Sequence, residues 1–276
     1  MAMRFLLAAS WMISLGMLAS FGARPAPAPN FVKVRETARL IGRADHQRRP
    51  LPEEALPVYY EESGAAAASR QGTAFAVDPR GSWATAAHVT DHCSKVHLLA
   101  GRRMALAARA PARALGDDIS LLSGGLAAPT GLNLAVRTPV RGAMGYHMGF
   151  PMGSPGLIGS RLLGRTGAVR RTGRSEEVLA WVEDWRSQDP AEPLDGLSGG
   201  PVLNDDGDVV GIVSMATERR GRILSAMPGA LRGLMVQTRV GIDQRYKAPI
   251  AGRRSALARF QLFLNAGLIR QIYCDV

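Results

Sequence analysis

The sequence has 276 residues, of which 46% are hydrophobic and 21% charged, so it can bury a sizeable core and is not a disordered chain. The formal net charge is +11, and nearly all of the positive charge comes from arginines scattered in pairs along the chain. This scatter favours weak contact with anionic surfaces over a specific nucleic-acid partner.

The N-terminal residues have the pattern of an export signal. Arg4 precedes the apolar run Phe5–Phe21, and small residues follow at its end, so residues 1–23 are predicted to be a cleaved signal peptide. The alternative is an uncleaved N-terminal membrane anchor, because the run is close to the shortest length that spans a bilayer. Residues 24–38 begin with alternating prolines and are predicted to be an extended linker. We therefore expect an exported protein, periplasmic or secreted.

From residue 72 onward the sequence predicts short strands separated by turn signals. Strands are predicted at residues 73–77, 83–87, 96–100, 119–122, 134–137, 143–149, 161–169, 178–182, 207–215 and 222–227. This pattern is typical of antiparallel sandwiches or barrels. A helix opened by proline is predicted over 228–237, and a second over 255–272, where apolar residues recur at helical spacing.

The sequence has two cysteines, Cys93 and Cys274. In an exported chain they can form a single disulfide, and two free thiols are the alternative.

The run Gly196–Pro201 contains a serine between glycines. Gly196, Gly199 and Gly200 can adopt backbone angles closed to other residues, so the chain can turn sharply and expose Ser198 beside converging N–H groups. That arrangement suits acyl transfer, in which negative charge develops on the attacked carbonyl oxygen. A glycine-rich turn between strands is the alternative.

Two further segments supply a base and a carboxylate. His88 follows the predicted strand 83–87, and Asp118 precedes the apolar strand 119–122. A serine hydroxyl needs a neighbouring base to accept its proton, and histidine suits that role. A buried carboxylate then orients the imidazole.

Each of these residues also has an alternative interpretation. His88 can be a core histidine, Asp117 is a rival to Asp118, and Asp118 can cap a turn. A metal site is the other alternative, because four possible ligands lie within ten residues, but their spacing is not that of a zinc finger, so no metal and no cofactor are expected. These four residues are His88, His92, Cys93 and His97.

In the order His, Asp, Ser, the three segments resemble those of the trypsin-like (chymotrypsin-fold) serine peptidases, of the bacterial type. Residues 85–88 match the family pattern Thr-Ala-Ala-His, and residues 118–122 match Asp-Ile-Ala-Leu-Leu except at Ser120. Residues 196–201 match Gly-X-Ser-Gly-Gly-Pro. The resemblance covers about residues 40–237.

The resemblance implies an all-β fold of two packed six-stranded antiparallel barrels. Residues 39–140 would form the first barrel and residues 141–237 the second, followed by a C-terminal helical extension over 238–276. This extension would be either a brace on the second barrel, held by the cysteine at 274, or a docking helix.

The resemblance also implies a serine endopeptidase that acts on proteins or peptides through an acyl-enzyme. His88 would be the general base, Asp118 its orienting carboxylate and Ser198 the nucleophile. The backbone N–H groups of Gly196 and Ser198 would form the oxyanion hole. A non-catalytic peptide-binding member of the fold and an esterase with the same triad are the alternatives.

Substrate-binding positions follow from the same resemblance. Glu192 would lie at the base of the primary pocket and favour basic side chains, while Ser214, Met215 and Ala216 would form its edge. Leu197 replaces the aspartate that pairs with a new N-terminus in digestive trypsins, although Arg39–Gly42 is similar to the processed N-terminus of the family.

Overall fold

The computed structural model of the chain describes residues 31–33, 59–61, 69–101, 104–114, 116–124, 126–170, 175–217, 221–241 and 249–276. The predicted signal peptide, the predicted linker apart from residues 31–33, and the Arg39–Gly42 stretch lie outside these ranges. The three motif segments all lie within them.

The described residues form mainly strands. The elements are β1 (Phe31–Lys33), β2 (Tyr59–Glu61), β3 (Ser69–Ala76), β4 (Ser82–Thr85), α1 (Ala87–Thr90), β5 (Lys95–Gly101), β6 (Met104–Arg113), β7 (Ser120–Ser123), β8 (Met144–Gly149), a 3₁₀ turn (Pro151–Gly153), β9 (Gly156–Val169), β10 (Ser175–Arg186), β11 (Pro201–Leu203), β12 (Val209–Thr217), β13 (Arg222–Ala226), α2 (Pro228–Gln237), α3 (Gly252–Asn265) and β14 (Ile269–Asp275).

Six antiparallel strands close the first barrel, in the order β14-β3-β4-β7-β6-β5. Large apolar side chains fill its interior, among them Phe75, Trp83 and Ile119, which are completely buried. The indole N–H of Trp83 donates to the carbonyl oxygen of Leu126 at 2.9 Å, so the polar atom of this buried ring has a partner.

The second barrel is formed by strands β8 to β13. Strand β8 pairs with both β9 and β11, so these strands follow one another in a ring, β8-β9-β10-β13-β12-β11. Strand β2 adds in parallel to the end of β9, and β1 pairs with β2. One continuous cluster of buried side chains includes Phe75 of the first barrel and Met148 of the second. The predicted fold of two packed six-stranded antiparallel barrels is confirmed.

Most predicted strands match an observed strand, but β1, β2 and β14 were not predicted, and there are three further differences. Residues 134–137 are not a strand, because only Leu134 forms a bridge, to Val209, and Val136 is exposed. Strands β6 and β11 were not predicted. The first is rich in alanine and the second has three residues, so neither has the β-branched alternation that identifies a strand.

The prediction of a helix over 255–272 is wrong beyond residue 265. Gly267 has a φ of +66°, and the N–H groups of Gly267 and Leu268 donate to the carbonyls of Leu264 and Phe263. This pattern ends a helix at a left-handed glycine. The chain then forms β14, which fills the gap between β3 and β5. The end of the predicted C-terminal helical extension therefore completes the first barrel, whereas α3 contacts β9 of the second barrel.

A disulfide joins Cys93 to Cys274, with 5.4 Å between their Cα atoms. It fastens β14 to the segment that follows α1. Within the described ranges, no helix combines the length and the apolar character that a bilayer crossing requires.

Candidate active site

His88 lies on a single helical turn just after β4. The strand ends at Thr85, and α1 begins at Ala87. The guanidinium of Arg70, on β3, holds this turn by donating to the carbonyl oxygens of His88 at 2.9 Å and of Asp91 at 2.7 Å. The imidazole is thereby fixed at the end of the barrel with 31% of its side-chain surface exposed.

Two hydrogen bonds join His88 to Asp118. The backbone N–H of His88 donates to Oδ1 at 2.9 Å, and ring Nδ1 lies 2.7 Å from Oδ2. Burial raises the pKa of the Asp118 carboxyl, but attraction to His88 and Arg170, with the hydrogen bonds from His88, outweighs burial and holds this pKa well below its usual range. An ionised Asp118 accepts the Nδ1 proton, which leaves Nε2 of the neutral ring as the proton acceptor.

The rival carboxylate, Asp117, faces a different environment. Burial raises its pKa, and its carboxyl group makes no hydrogen bond or ion pair with any residue that the structure describes. Its backbone carbonyl accepts the N–H of Ile119 at 2.9 Å. The fold therefore brings Asp118, and not Asp117, to the imidazole.

Ser214, on β12, also contacts Asp118. The register of β12 against β13 shifts between Val213 and Met215, so Ser214 lies at a bulge, an irregularity that redirects a side chain. Its hydroxyl donates to Oδ2 of Asp118 at 2.8 Å and is buried. The Ser214 hydroxyl is thus bound to the carboxylate of Asp118.

Arg170 and Glu176 complete the surroundings of Asp118. Nη2 of Arg170 donates to Oδ2 of Asp118 at 2.9 Å, and Nε donates to Oε1 of Glu176 at 2.6 Å. Oε2 of Glu176 accepts the backbone N–H of Asp118 at 2.8 Å. Burial raises the pKa of Glu176 more than its contact with Arg170 lowers it.

Sequence reasoning missed Arg170 and Glu176. Arg170 belongs to one of the scattered arginine pairs, and Glu176 is the second residue of β10, which carries no recognised motif. They lie 52 and 58 residues from Asp118 along the chain, so no local spacing links them to it.

Ser198 lies in a tight loop whose backbone requires glycine. Gly196 and Gly199 have φ values of +95° and +86°, which non-glycine residues rarely adopt. A Cβ on Gly199 would lie 2.2 Å from the carbonyl oxygen of Thr73 and from Oγ1 of Thr85. The loop is thus pressed against the first barrel at the strand end that leads to the histidine.

Thr73, on β3, ties this loop down. Its backbone N–H donates to the carbonyl of Ser198 at 2.8 Å. Its hydroxyl donates to the carbonyl of Gly196 at 2.7 Å and accepts the N–H of Phe150 at 3.0 Å. Sequence analysis identified Thr73 only as the start of a strand.

The backbone N–H groups of Gly196 and Ser198 are oriented through their own peptide units. The carbonyl preceding Gly196 accepts the N–H of Met152 at 2.6 Å, and the carbonyl preceding Ser198 accepts the N–H of Gly200 at 3.0 Å. In a trans peptide the N–H points opposite to the carbonyl, so both directions are set. Neither N–H donates to another residue in the described part of the chain.

Ser198 is half-buried and is not hydrogen-bonded to His88. Within the described ranges, neither Oγ of Ser198 nor Nε2 of His88 has a hydrogen-bond partner. Hydrogen bonds between a nucleophile and its base are often long in unliganded enzymes and tighten in the substrate complex.

The expected substrate-binding residues are only partly where the resemblance implied. Glu192 is exposed in a turn, and its carbonyl accepts Nη1 of Arg186 at 3.0 Å, so its side chain is not enclosed at the base of a pocket. Met215 is buried and Ala216 half-buried, next to Ser214 on β12.

The four possible metal ligands near His88 lie in different environments. Among the side chains that the structure describes, no three of His, Cys, Asp and Glu are gathered as ligands. Cys93 is in the disulfide, His92 is exposed, and Nε2 of His97 lies 3.2 Å from the carboxylate of Asp275.

Comparison with protein families gives one match that spans the site. The profile of the trypsin-like peptidase domain matches residues 72–212, which include the His88, Asp118 and Ser198 segments.

Individual proteins resemble the chain more distantly. The uncharacterized protein y4bJ of Sinorhizobium fredii is 26% identical over 191 residues, which are 67% of this chain, and the chain spans 27% of that protein's length. The active form of the Rv3671c protease from M. tuberculosis is 22% identical, with 65% of this chain and 76% of that chain covered and a TM-score of 0.52. The serine endoprotease from Yersinia pestis is 17% identical, with 63% and 62% covered and a TM-score of 0.45. At these identities, the similarity to the M. tuberculosis protease shows a shared fold.

Proposed function

Because this chain belongs to the trypsin-like peptidase family, we propose that it is a serine endopeptidase that cleaves peptide bonds through an acyl-enzyme. The observation that supports this most is the pair of N–H groups at Gly196 and Ser198, which are oriented by their own peptide units and have no acceptor among the described residues. Such donors stabilise an oxyanion because they are oriented before the reaction begins. A serine in a simple turn would not require this arrangement.

The proposed reaction begins when Oγ of Ser198 attacks the substrate carbonyl and Nε2 of His88 takes its proton. Asp118 keeps the other ring proton on Nδ1 and stabilises the imidazolium that forms. His88 then gives the proton to the leaving amine, and water, activated by the same imidazole, hydrolyses the acyl-enzyme. Protein or peptide chains are the proposed substrates, with residues 214–216 of β12 alongside the substrate backbone.

We also propose that the protein is exported. The apolar run Phe5–Phe21 after Arg4 supports this, as does the disulfide between Cys93 and Cys274, because disulfides persist mainly in oxidising compartments.

The test uses Ser198→Ala with Ser154→Ala as the matched control, since Ser154 is an exposed serine close to the same loop. Casein hydrolysis and labelling by a fluorophosphonate probe should fall by about three orders of magnitude or more in Ser198→Ala and stay unchanged in Ser154→Ala. Both variants should unfold at the wild-type temperature.

Three results would count against the proposal in different ways. Undiminished casein hydrolysis by Ser198→Ala would exclude this serine as the nucleophile. A folded wild-type protein that neither reacts with the probe nor hydrolyses substrate would favour a peptide-binding role. Turnover of esters without turnover of amides would favour an esterase.

A further inference from the structure

We propose that Arg170, held in place by Glu176, is a positioning residue for Asp118 whose positive charge limits protonation of His88. The catalytic part of this inference rests on the proposed function. The effect of Arg170 on the protonation of His88 can be tested without measuring substrate turnover. It concerns two residues that the peptidase motifs do not include.

Arg170 reaches Asp118 across the boundary between the barrels. It directly follows β9 in the second barrel, whereas Asp118 precedes β7 in the first. The side chain of Arg170 is only 10% exposed, and the side chains of Asp118 and Glu176 are 4% and 2% exposed. A cation this deeply buried requires ionic partners, and these two carboxylates supply them.

The guanidinium makes a forked set of contacts. Nη2 donates to Oδ2 of Asp118 at 2.9 Å and also contacts Oγ of Ser214 and Oε1 of Glu176. Nε donates to the same Oε1 at 2.6 Å. Arginine is suited to such a site because its planar group donates in several fixed directions at once.

Glu176 couples Arg170 to the backbone of Asp118. One carboxylate oxygen binds the guanidinium, and the other accepts the Asp118 N–H at 2.8 Å. The second barrel therefore holds Asp118 by both its side chain and its main chain. This arrangement fixes the carboxylate relative to β12, where Ser214 donates to it.

The charge of Arg170 acts on the same oxygen atom as the imidazole. Oδ2 of Asp118 accepts from Nη2 of Arg170 at 2.9 Å and lies 2.7 Å from Nδ1 of His88. A fixed cation that binds the same oxygen atom as the imidazole opposes a positive charge on the ring. Glu176 offsets part of this effect through its own negative charge.

Other charged groups near His88 and Asp118 come from several elements. They do not replace the opposing effects of Arg170 and Glu176 on the charge of the His88 ring. Arg70 binds backbone carbonyls of the α1 turn, and Asp91 is paired with Arg113 of β6. Among the residues that the structure describes, the charged or titratable groups that contact this region include Arg70 of β3, Asp91 and Asp117 of the loops, Arg113 of β6, Arg170 after β9 and Glu176 of β10.

The test measures the protonation of His88 by NMR titration of its ring protons in the full chain. In Arg170→Gln the His88 midpoint should rise by about one pH unit, because a cation that binds the same oxygen of Asp118 as the imidazole is removed. In Glu176→Gln it should fall, because the charge of Arg170 is no longer offset. Arg165→Gln is the matched control, since Arg165 is a half-exposed residue of β9 that lies 3.9 Å from Glu177. The His88 midpoint in Arg165→Gln should equal that of the wild type.

The acid limb of the kcat/KM profile against pH should move in the same directions as the NMR midpoint. A purely structural Arg170 would lower kcat without moving either quantity. Arg170→Lys keeps the positive charge but loses the forked contacts of the guanidinium, so its His88 midpoint should equal that of the wild type. This variant is used if Arg170→Gln does not fold. Equal midpoints in wild type and in folded Arg170→Gln or Glu176→Gln would overturn the inference. A shifted midpoint in a protein with no hydrolytic activity would overturn the proposed function alone.

Discussion

Replacing Thr73 by valine tests whether the serine loop is held in its reactive shape by one hydroxyl group. The substitution is close to isosteric, so it leaves no cavity, but it removes the donor to the Gly196 carbonyl and the acceptor for the Phe150 N–H. Thr73 is completely buried, so water cannot replace the lost partners. Each unsatisfied group costs about 1–3 kcal/mol, so the loss of both partners should lower the free energy of unfolding by about 2–6 kcal/mol.

The same change should slow catalysis. The Gly196 carbonyl belongs to the peptide unit that follows the proposed oxyanion donor, so its release frees the loop to turn. In a serine protease, loss of one oxyanion donor reduces kcat by about 100- to 1000-fold. Partial misorientation of the Gly196 N–H should therefore reduce kcat by about 10- to 100-fold with little change in KM. Urea unfolding measures the stability, and peptide hydrolysis at saturating substrate measures kcat.

Thr238→Val is the matched control for this experiment. The Thr238 hydroxyl also makes two hydrogen bonds, to the carbonyls of Leu234 and Met235 at 2.8 and 3.2 Å, but it lies at the end of α2. We expect a loss below about 1 kcal/mol and an unchanged kcat. If Thr73→Val is destabilised yet keeps its kcat within a factor of two, the proposed link between this hydroxyl and the oxyanion donors is refuted.

Two further predictions concern a glycine of the serine loop and a buried histidine. Gly199→Ala should destabilise the protein by about 3 kcal/mol or more, because its φ is +86° and its Cβ would lie 2.2 Å from Oγ1 of Thr85. Gly233→Ala, in an open position of α2, should instead stabilise it by about 0.5–1 kcal/mol in the same urea titration, and equal effects would contradict the steric argument. Burial lowers the pKa of His147 from 6.5 to about 3, so the unfolded chain binds one more proton between these pH values and stability should fall as the pH drops through this window, by at most about 1.4 kcal/mol per pH unit. His147→Gln should flatten this dependence while exposed His92→Gln keeps it, and an unchanged slope in His147→Gln would show that another group causes the acid sensitivity.

Local sequence was sufficient for the parts of this protein that depend on neighbouring residues. The strands around His88 and Asp118 follow from short apolar runs with turn signals. The turn of the serine loop follows from Gly196 and Gly199, which have positive φ angles, whereas Gly200 does not. These features are readable because each depends on the backbone preferences of a few adjacent residues.

Helix ends and strand closure were harder to predict. The apolar residues from Phe260 to Ile272 have helical spacing, yet the chain leaves the helix at Gly267. The remaining residues form a strand because β3 and β5 would otherwise leave the first barrel open. Backbone groups of β3 and β5, which are far away in sequence, decide whether residues 269–275 form a helix or a strand. No local sequence pattern predicts these partners.

The sequence by itself determined which residues we propose for the chemistry of the candidate site, because an imidazole, a carboxylate and a hydroxyl stand in recognisable local settings. Only the tertiary structure decided how they are controlled. Arg170 and Glu176 reach Asp118 from the other barrel, and Thr73 binds the serine loop from a strand 123 residues away. Such contacts arise because packing two closed sheets brings distant segments together, and buried charges and peptide groups at that boundary must find partners there.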